Sequence, residues 1–161
     1  MEGLFGVPLS ARASGSWRYG RLGNVSYAGD ITPEEAWKLL SDNPDAVLVD
    51  CRTDAEWRFV GVVDISDLGR DAVYVQWSTT SGQRNDRFVQ DLIDAGISPG
   101  ERPVVFLCRS GNRSIGAAEA ATAAGIAPSY NVLDGFEGNL DASGHRGGSG
   151  WRAVGLPWRQ S

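Results

Sequence analysis

Two uninterrupted apolar runs organise the chain: Ala46-Val47-Leu48-Val49, ending at Asp50, and Pro103 to Leu107, ending at Cys108. Apolar runs of this length without polar alternation predict strands covered on both faces, as in a parallel sheet. Helical spacing lies around them. Regular structure is expected to begin at Thr32-Pro33-Glu34-Glu35, where Thr32 can cap, Pro33 suits the first helical position and the acids favour the positive end of the helix. Ala36, Trp37, Leu39 and Leu40 supply its buried face, and Asn43-Pro44-Asp45 makes a turn into the first apolar strand. Thr53 to Trp57 reads as a short helix and Val73-Tyr74-Val75 as a brief strand. From Asp86 to Ala95, Phe88, Val89, Leu92 and Ile93 share one helical face, with Gly96 as a stop. An alanine-rich helix is predicted over Ser114 to Ala124, ended by Gly125, before a last strand at Tyr130 to Leu133.

Strands separated by helices predict an α/β domain with a mainly parallel central sheet flanked by helices. No fixed-period repeat is visible, which sets aside a solenoid. Residues 1–25 show no sustained period and read as a loosely ordered arm, leaving 26–161 as the domain. The Gly- and Ser-rich stretch from Glu137 to Gly150 reads as a surface loop that could act as a flap.

Composition narrows the function classes. With 161 residues, 42% of them hydrophobic and 22% charged, the chain suits one domain with a real core. Its net charge of -5 argues against nucleic acid or an anionic membrane surface as the main partner. No apolar run approaches the roughly 18 residues of a membrane span, and Met1 to Val25 lacks the order of a secretory signal, so the expectation is a cytoplasmic protein. Two cysteines and one histidine suit neither a disulfide scaffold nor a zinc site.

The chemistry concentrates after the second apolar strand. A cysteine at the carboxyl end of a buried parallel strand sits where open α/β sheets leave a ligand crevice. The loop Arg109-Ser110-Gly111-Asn112-Arg113 can turn backbone N–H groups toward Cys108, with Gly111 easing the bend and the next helix aiming its positive end at the sulfur. Arg109 and Arg113 add guanidinium forks suited to oxyanions. Such a cup favours thiolate over thiol and marks Cys108 as a nucleophile.

Cys108-Arg109-Ser110-Gly111-Asn112-Arg113-Ser114 resembles the active-site loop of the rhodanese family. Val49-Asp50-Cys51-Arg52 with Glu56-Trp57, then Val132 to Phe136, then Gly150-Trp151 with Gly155-Leu156-Pro157, follow in that family's order. The resemblance implies a three-layer rhodanese-like fold and a persulfide on Cys108. Arg109, Ser110, Gly111, Asn112 and Arg113 would then cradle a small anionic sulfur donor such as thiosulfate, with a thiol, cyanide or protein as sulfur acceptor. It implies no metal and no organic cofactor. Four residues separate Cys108 from Arg113, where the loops of cysteine phosphatases leave five, so phosphatase chemistry is the lesser enzyme alternative. A non-catalytic binding or regulatory module is the alternative from another class.

Other residues read as structural. Asp50 and Arg52 could orient the loop, but a network pairing Arg52 with Glu56 at helical spacing is the favoured reading. Cys51 reads as a small buried residue and His145 as a solvated loop residue, while Trp37, Trp57, Trp151 and Trp158 read as core. The histidine that many family members carry after the acidic-aromatic helix is absent from Gly61-Val62-Val63-Asp64-Ile65.

Overall fold

The computed structural model describes residues 27–160, so the expected arm over 1–25 lies outside the described residues. In chain order the elements are β1 (Gly29–Ile31), α1 (Pro33–Asp42), β2 (Val47–Asp50), α2 (Asp54–Phe59), β3 (Val62–Val63), a 3-10 turn (Ser66–Leu68) and β4 (Val73–Tyr74). They continue with α3 (Phe88–Asp94), β5 (Gly100–Leu107), α4 (Arg113–Ala123), β6 (Ile126–Val132) and β7 (Trp158–Arg159). The main sheet runs β1-β6-β5-β2-β4, every neighbouring pair parallel, while β3 and β7 form a small antiparallel ribbon.

Alternation along the central strands divides the core into two layers. Leu48, Val105, Leu107 and Val132 face one side, with Ala36 and Leu40 of α1 and the fully buried Trp151. Val47, Val49, Val104 and Phe106 face the other, under Phe88 and Leu92 of α3 and Ala117, Ala118 and Ala121 of α4. The alanines of α4 are what let that helix lie close on the sheet. Helices on both faces of a parallel sheet make the three-layer α/β architecture that the strand and helix pattern predicted.

Local signals hold where they were read. Thr32 and Glu35 form a reciprocal capping box at α1, and Thr53 and Glu56 form another at α2. Gly96 and Gly125 follow α3 and α4 with φ of 98° and 88°, values that favour glycine. Three readings change. Among the described residues regular structure begins earlier than Thr32, at β1, whose three residues pair with Tyr130, Asn131 and Val132 and are too few to show a period alone. The ribbon of β3 and β7 joins segments nearly a hundred residues apart and has no local signature. Trp158, expected in the core, is 40% exposed on β7 and packs its ring edge against Phe136.

Candidate active site

The order in which strands are added across the sheet reverses between β2 and β5: β2 leads outward to β4, and β5 leads to β6 on the other side. Ligands of open α/β sheets bind outside the carboxyl ends of strands at such a point. Cys108 stands there, directly after β5, with the loop to Arg113 passing into the first turn of α4.

The Cys108 sulfur is held by α4 and its loop. The backbone N–H of Gly111 donates to Sγ at 3.2 Å and that of Ser114 at 3.3 Å, while the Ser114 hydroxyl lies 3.1 Å away. Gly111 has φ of 94°, and a Cβ there would stand 3.0 Å from the amide nitrogen of Asp134. Glycine is therefore required for the bend and for the close approach of the neighbouring turn. Among the described residues, the amides of Ser110, Asn112 and Arg113 have no protein acceptor. Ser110 and Asn112 touch through their side chains at 3.4 Å on the open side of the loop. Cys108 itself has 0% exposure.

The turn after β6 clamps the loop from below. Phe136 N–H donates to the Cys108 carbonyl at 2.8 Å, and Glu137 N–H to that of Arg109 at 2.9 Å. Gly135 makes the approach possible, since a Cβ there would lie 2.3 Å from the Cys108 carbonyl oxygen. The segment that follows is a turn-rich loop, as expected, with His145 exposed. It is tied back at its root, where Arg146 donates to the Gly138 carbonyl at 2.7 Å.

The two loop arginines differ. Arg109 is exposed and makes no ion pair among the described residues. Arg113 turns to α2 and grips Glu56 through both arms, at 2.8 and 2.9 Å. Burial works against ionisation of Glu56, but the Arg113 guanidinium and the Thr53 amide outweigh it and hold the carboxyl below its ordinary range. Thus Glu56 closes its helix cap and braces the loop with one carboxylate.

That arrangement corrects the pairing expected for Arg52. Arg52 is wholly buried and binds Asp50 at 2.7 Å, donates to the Gly61 carbonyl at 2.7 Å, and lies 4.3 Å over the Phe136 ring. Asp50 and Arg52 sit on one short stretch at the end of β2, whereas Glu56, in the first turn of α2, faces Arg113 of α4. The network is structural, as read, with different partners.

Cys51 continues the β2 register opposite Cys108 and lies in the same core layer. Burial above all, then the neighbouring Cys108, pushes its thiol well above the ordinary value, as suits an inert core residue. Its Sγ contacts the Leu107 carbonyl at 3.4 Å.

Three contributors were missed in the sequence. Ser114 had a signal, being a hydroxyl on the first turn of α4 beside the sulfur. Asn131 had one as a buried polar residue on β6; its Oδ1 accepts from the Ser114 hydroxyl. Asp30, which accepts from Asn131 Nδ2 at 3.0 Å, had none, because β1 was not recognised. Among the described residues no group of three or more His, Cys, Asp or Glu is placed to hold a metal ion, and no helix is long and apolar enough to cross a membrane. A cleft of about 420 Å³ lined by Trp57, Tyr74, Gln76, Asn85, Asp91 and Asp94 opens at the β4 edge, but no residue of the Cys108 loop lines it.

Similarity to known proteins agrees with this geometry. The family described as the STR4 middle domain matches residues 28–161. An uncharacterized protein of Rickettsia conorii is 33% identical over 130 residues, covering 81% of this chain and 96% of its own. The crystal structure of Rv0390 from M. tuberculosis is 68% identical with a TM-score of 0.78, covering 84% of this chain and 100% of that one. The solution structure of the polysulfide-sulfur transferase homodimer from Wolinella succinogenes is 25% identical with a TM-score of 0.56, covering 82% and 78%. With its sheet order, its cysteine loop and these relatives in agreement, the chain belongs to the rhodanese-like domain proteins, in the STR4 middle domain family.

Proposed function

We propose that the protein is a sulfurtransferase that carries a sulfane sulfur from a small anionic donor such as thiosulfate to a thiol, cyanide or protein acceptor, through a persulfide on Cys108. The observation that carries this reading is the seat of the Cys108 sulfur, 3.2 and 3.3 Å from the N–H groups of Gly111 and Ser114 at the carboxyl end of β5. Amides fixed toward a sulfur stabilise negative charge on it without reorganising during the reaction.

In the first half-reaction the Cys108 thiolate attacks the outer sulfur of thiosulfate. A sulfur–sulfur bond forms to Cys108 as the one within the donor breaks, and sulfite leaves with the bonding electron pair. In the second, the acceptor attacks the terminal sulfur and Cys108 departs as thiolate. Arg109, exposed and unpaired, meets the incoming anion, while the open amides of Ser110, Asn112 and Arg113 line the place for the terminal sulfur. The Arg113 side chain contributes by bracing, since its fork is occupied by Glu56. No side chain acts as a general base in this cycle. The same reading makes the protein cytoplasmic, in keeping with two free cysteines.

Intact-protein mass spectrometry after incubation with thiosulfate tests it. A gain of one sulfur atom, absent from Cys108→Ser and removed by cyanide with release of thiocyanate, is the expected result; a folded protein that gains no sulfur from thiosulfate or a polysulfide overturns it. That outcome would favour a binding or regulatory module, which draws on two observations: the sulfur is covered, and Arg113 is held by Glu56.

A further inference from the structure

The hydrogen bonds behind Cys108 leave one proton wanted by two acceptors. Ser114 Oγ lies 3.1 Å from the Cys108 sulfur and also contacts Asn131 Oδ1. A hydroxyl has one proton to give, so it serves either the amide oxygen or the sulfur. Which end of the Asn131 amide faces Ser114 is decided on its far side. Its Nδ2 lies 3.0 Å from Asp30 Oδ1 and 3.2 Å from the Gly111 carbonyl. A carboxylate and a carbonyl only accept, so the amide must turn its N–H groups to them and its oxygen to Ser114. Tyr27 holds Asp30 in place from the same strand edge, its hydroxyl 2.8 Å from Asp30 Oδ1.

We propose that Asn131, oriented by Asp30, is a positioning residue that draws the Ser114 proton away from Cys108 and so holds the resting sulfur as a thiol donating to Ser114 Oγ. Every group in the chain is then satisfied: Cys108 S–H to Ser114, Ser114 O–H to Asn131, Asn131 N–H to Asp30 and Gly111. When the sulfur loses its proton, the hydroxyl either turns to it and orphans the buried Asn131 oxygen, or stays and presents a lone pair to a negative sulfur. Both choices cost a hydrogen bond, so the network opposes the charge that the Gly111 and Ser114 amides favour. Among the described residues, Cys51 on β2 and Arg113 on α4 also interact electrostatically with the sulfur, and the Arg113 charge is answered by Glu56. The thiolate that attacks a donor is then the minor form, reached when the thiol proton passes to water at the cost of one of these hydrogen bonds.

This rests on Cys108 being the reacting atom but not on any donor, and its test uses none. The readout is the ultraviolet absorbance of the thiolate in the full chain at neutral pH, with Cys108→Ser subtracted to remove the Cys51 contribution. Asn131→Val releases the hydroxyl and is expected to raise the thiolate-to-thiol ratio about tenfold, the difference between a neutral and a charge-assisted hydrogen bond. Asp30→Asn frees the amide to turn over and moves the ratio in the same direction, and it stands in if Asn131→Val fails to fold. In a Ser114→Ala background neither substitution is expected to change the ratio. An unchanged or lower ratio in the variants, or an equal rise without Ser114, overturns the proposal, because loosening of the loop or loss of the Asp30 charge would act without a hydroxyl. Failure of thiosulfate to load sulfur leaves this result unaffected, so the two readings fail separately.

Discussion

Replacing Glu56 with Gln separates the brace of the active loop from its chemistry. The carboxylate receives Arg113 on both oxygens at 2.8 and 2.9 Å and also receives the Thr53 N–H at 3.1 Å. With 27% and 17% of the two side chains exposed, the pair lies between a solvated ion pair and a buried one. Gln keeps one oxygen for Thr53 and one arm of Arg113 but turns N–H groups toward the other arm, so one charge-assisted bond is lost and the other loses its anionic acceptor. The expected cost at pH 7 is about 2 kcal/mol, above the surface-pair range and below the fully buried one. For a domain of this size that is a fall in Tm of roughly 5–10 °C.

The dependence on pH follows from the direction of the Glu56 shift. A carboxyl held below its ordinary range in the folded state contributes stability that is fully present above about pH 4.3 and is lost as pH falls through the lower folded value. Gln does not titrate. The gap between wild type and Glu56→Gln, measured by urea unfolding, should hold steady from neutral pH to about pH 5 and close progressively below about pH 4. A gap below about 0.5 kcal/mol at pH 7 would put the pair in the solvated class, and a gap that persists undiminished into strong acid would refute the electrostatic account.

Three other substitutions probe the surroundings. Gly135→Ala sets a methyl group 2.3 Å from the Cys108 carbonyl oxygen, and a loss of about 3 kcal/mol or more, with collapse of the loop, should appear in thermal melts; a variant within 1 kcal/mol of wild type would show that the clamp is soft. Arg52→Ala strands a fully buried Asp50 and should cost about 3–5 kcal/mol, whereas the double change Asp50→Asn with Arg52→Met should recover part of it, a comparison that a double-mutant cycle reads directly. Cys51, its thiol raised by burial and by Cys108, should resist iodoacetamide until the protein unfolds, and Cys51→Ala should still load sulfur; labelling of native Cys51 would contradict its placement.

Much of the fold was legible because its signals are local. The apolar runs of β2 and β5, the cap at Thr32, and the glycines after α3 and α4 each act within a few residues, so neighbouring sequence is enough to read them. The cysteine loop was legible for the same reason: a strand end, a glycine bend and a helix start are consecutive. Where an element is two or three residues long, as in β1, β3 and β7, no period can form, and its identity depends on the strand it pairs with.

The sequence by itself therefore determined the class of the domain and the atom at its centre, since alternating strands and helices and one cysteine at a strand end follow from local chemistry. Tertiary structure alone decided which charge meets which. Arg52 and Arg113 each had acidic residues within plausible reach, and only the docking of α2 against α4 gave Glu56 to Arg113 and left Asp50 to Arg52. The line from Tyr27 through Asp30, Asn131 and Ser114 to Cys108 likewise spans β1, β6 and α4. Bonded partners in it lie up to 101 residues apart, and hydrogen-bond direction among them depends on sheet order, which no local pattern encodes.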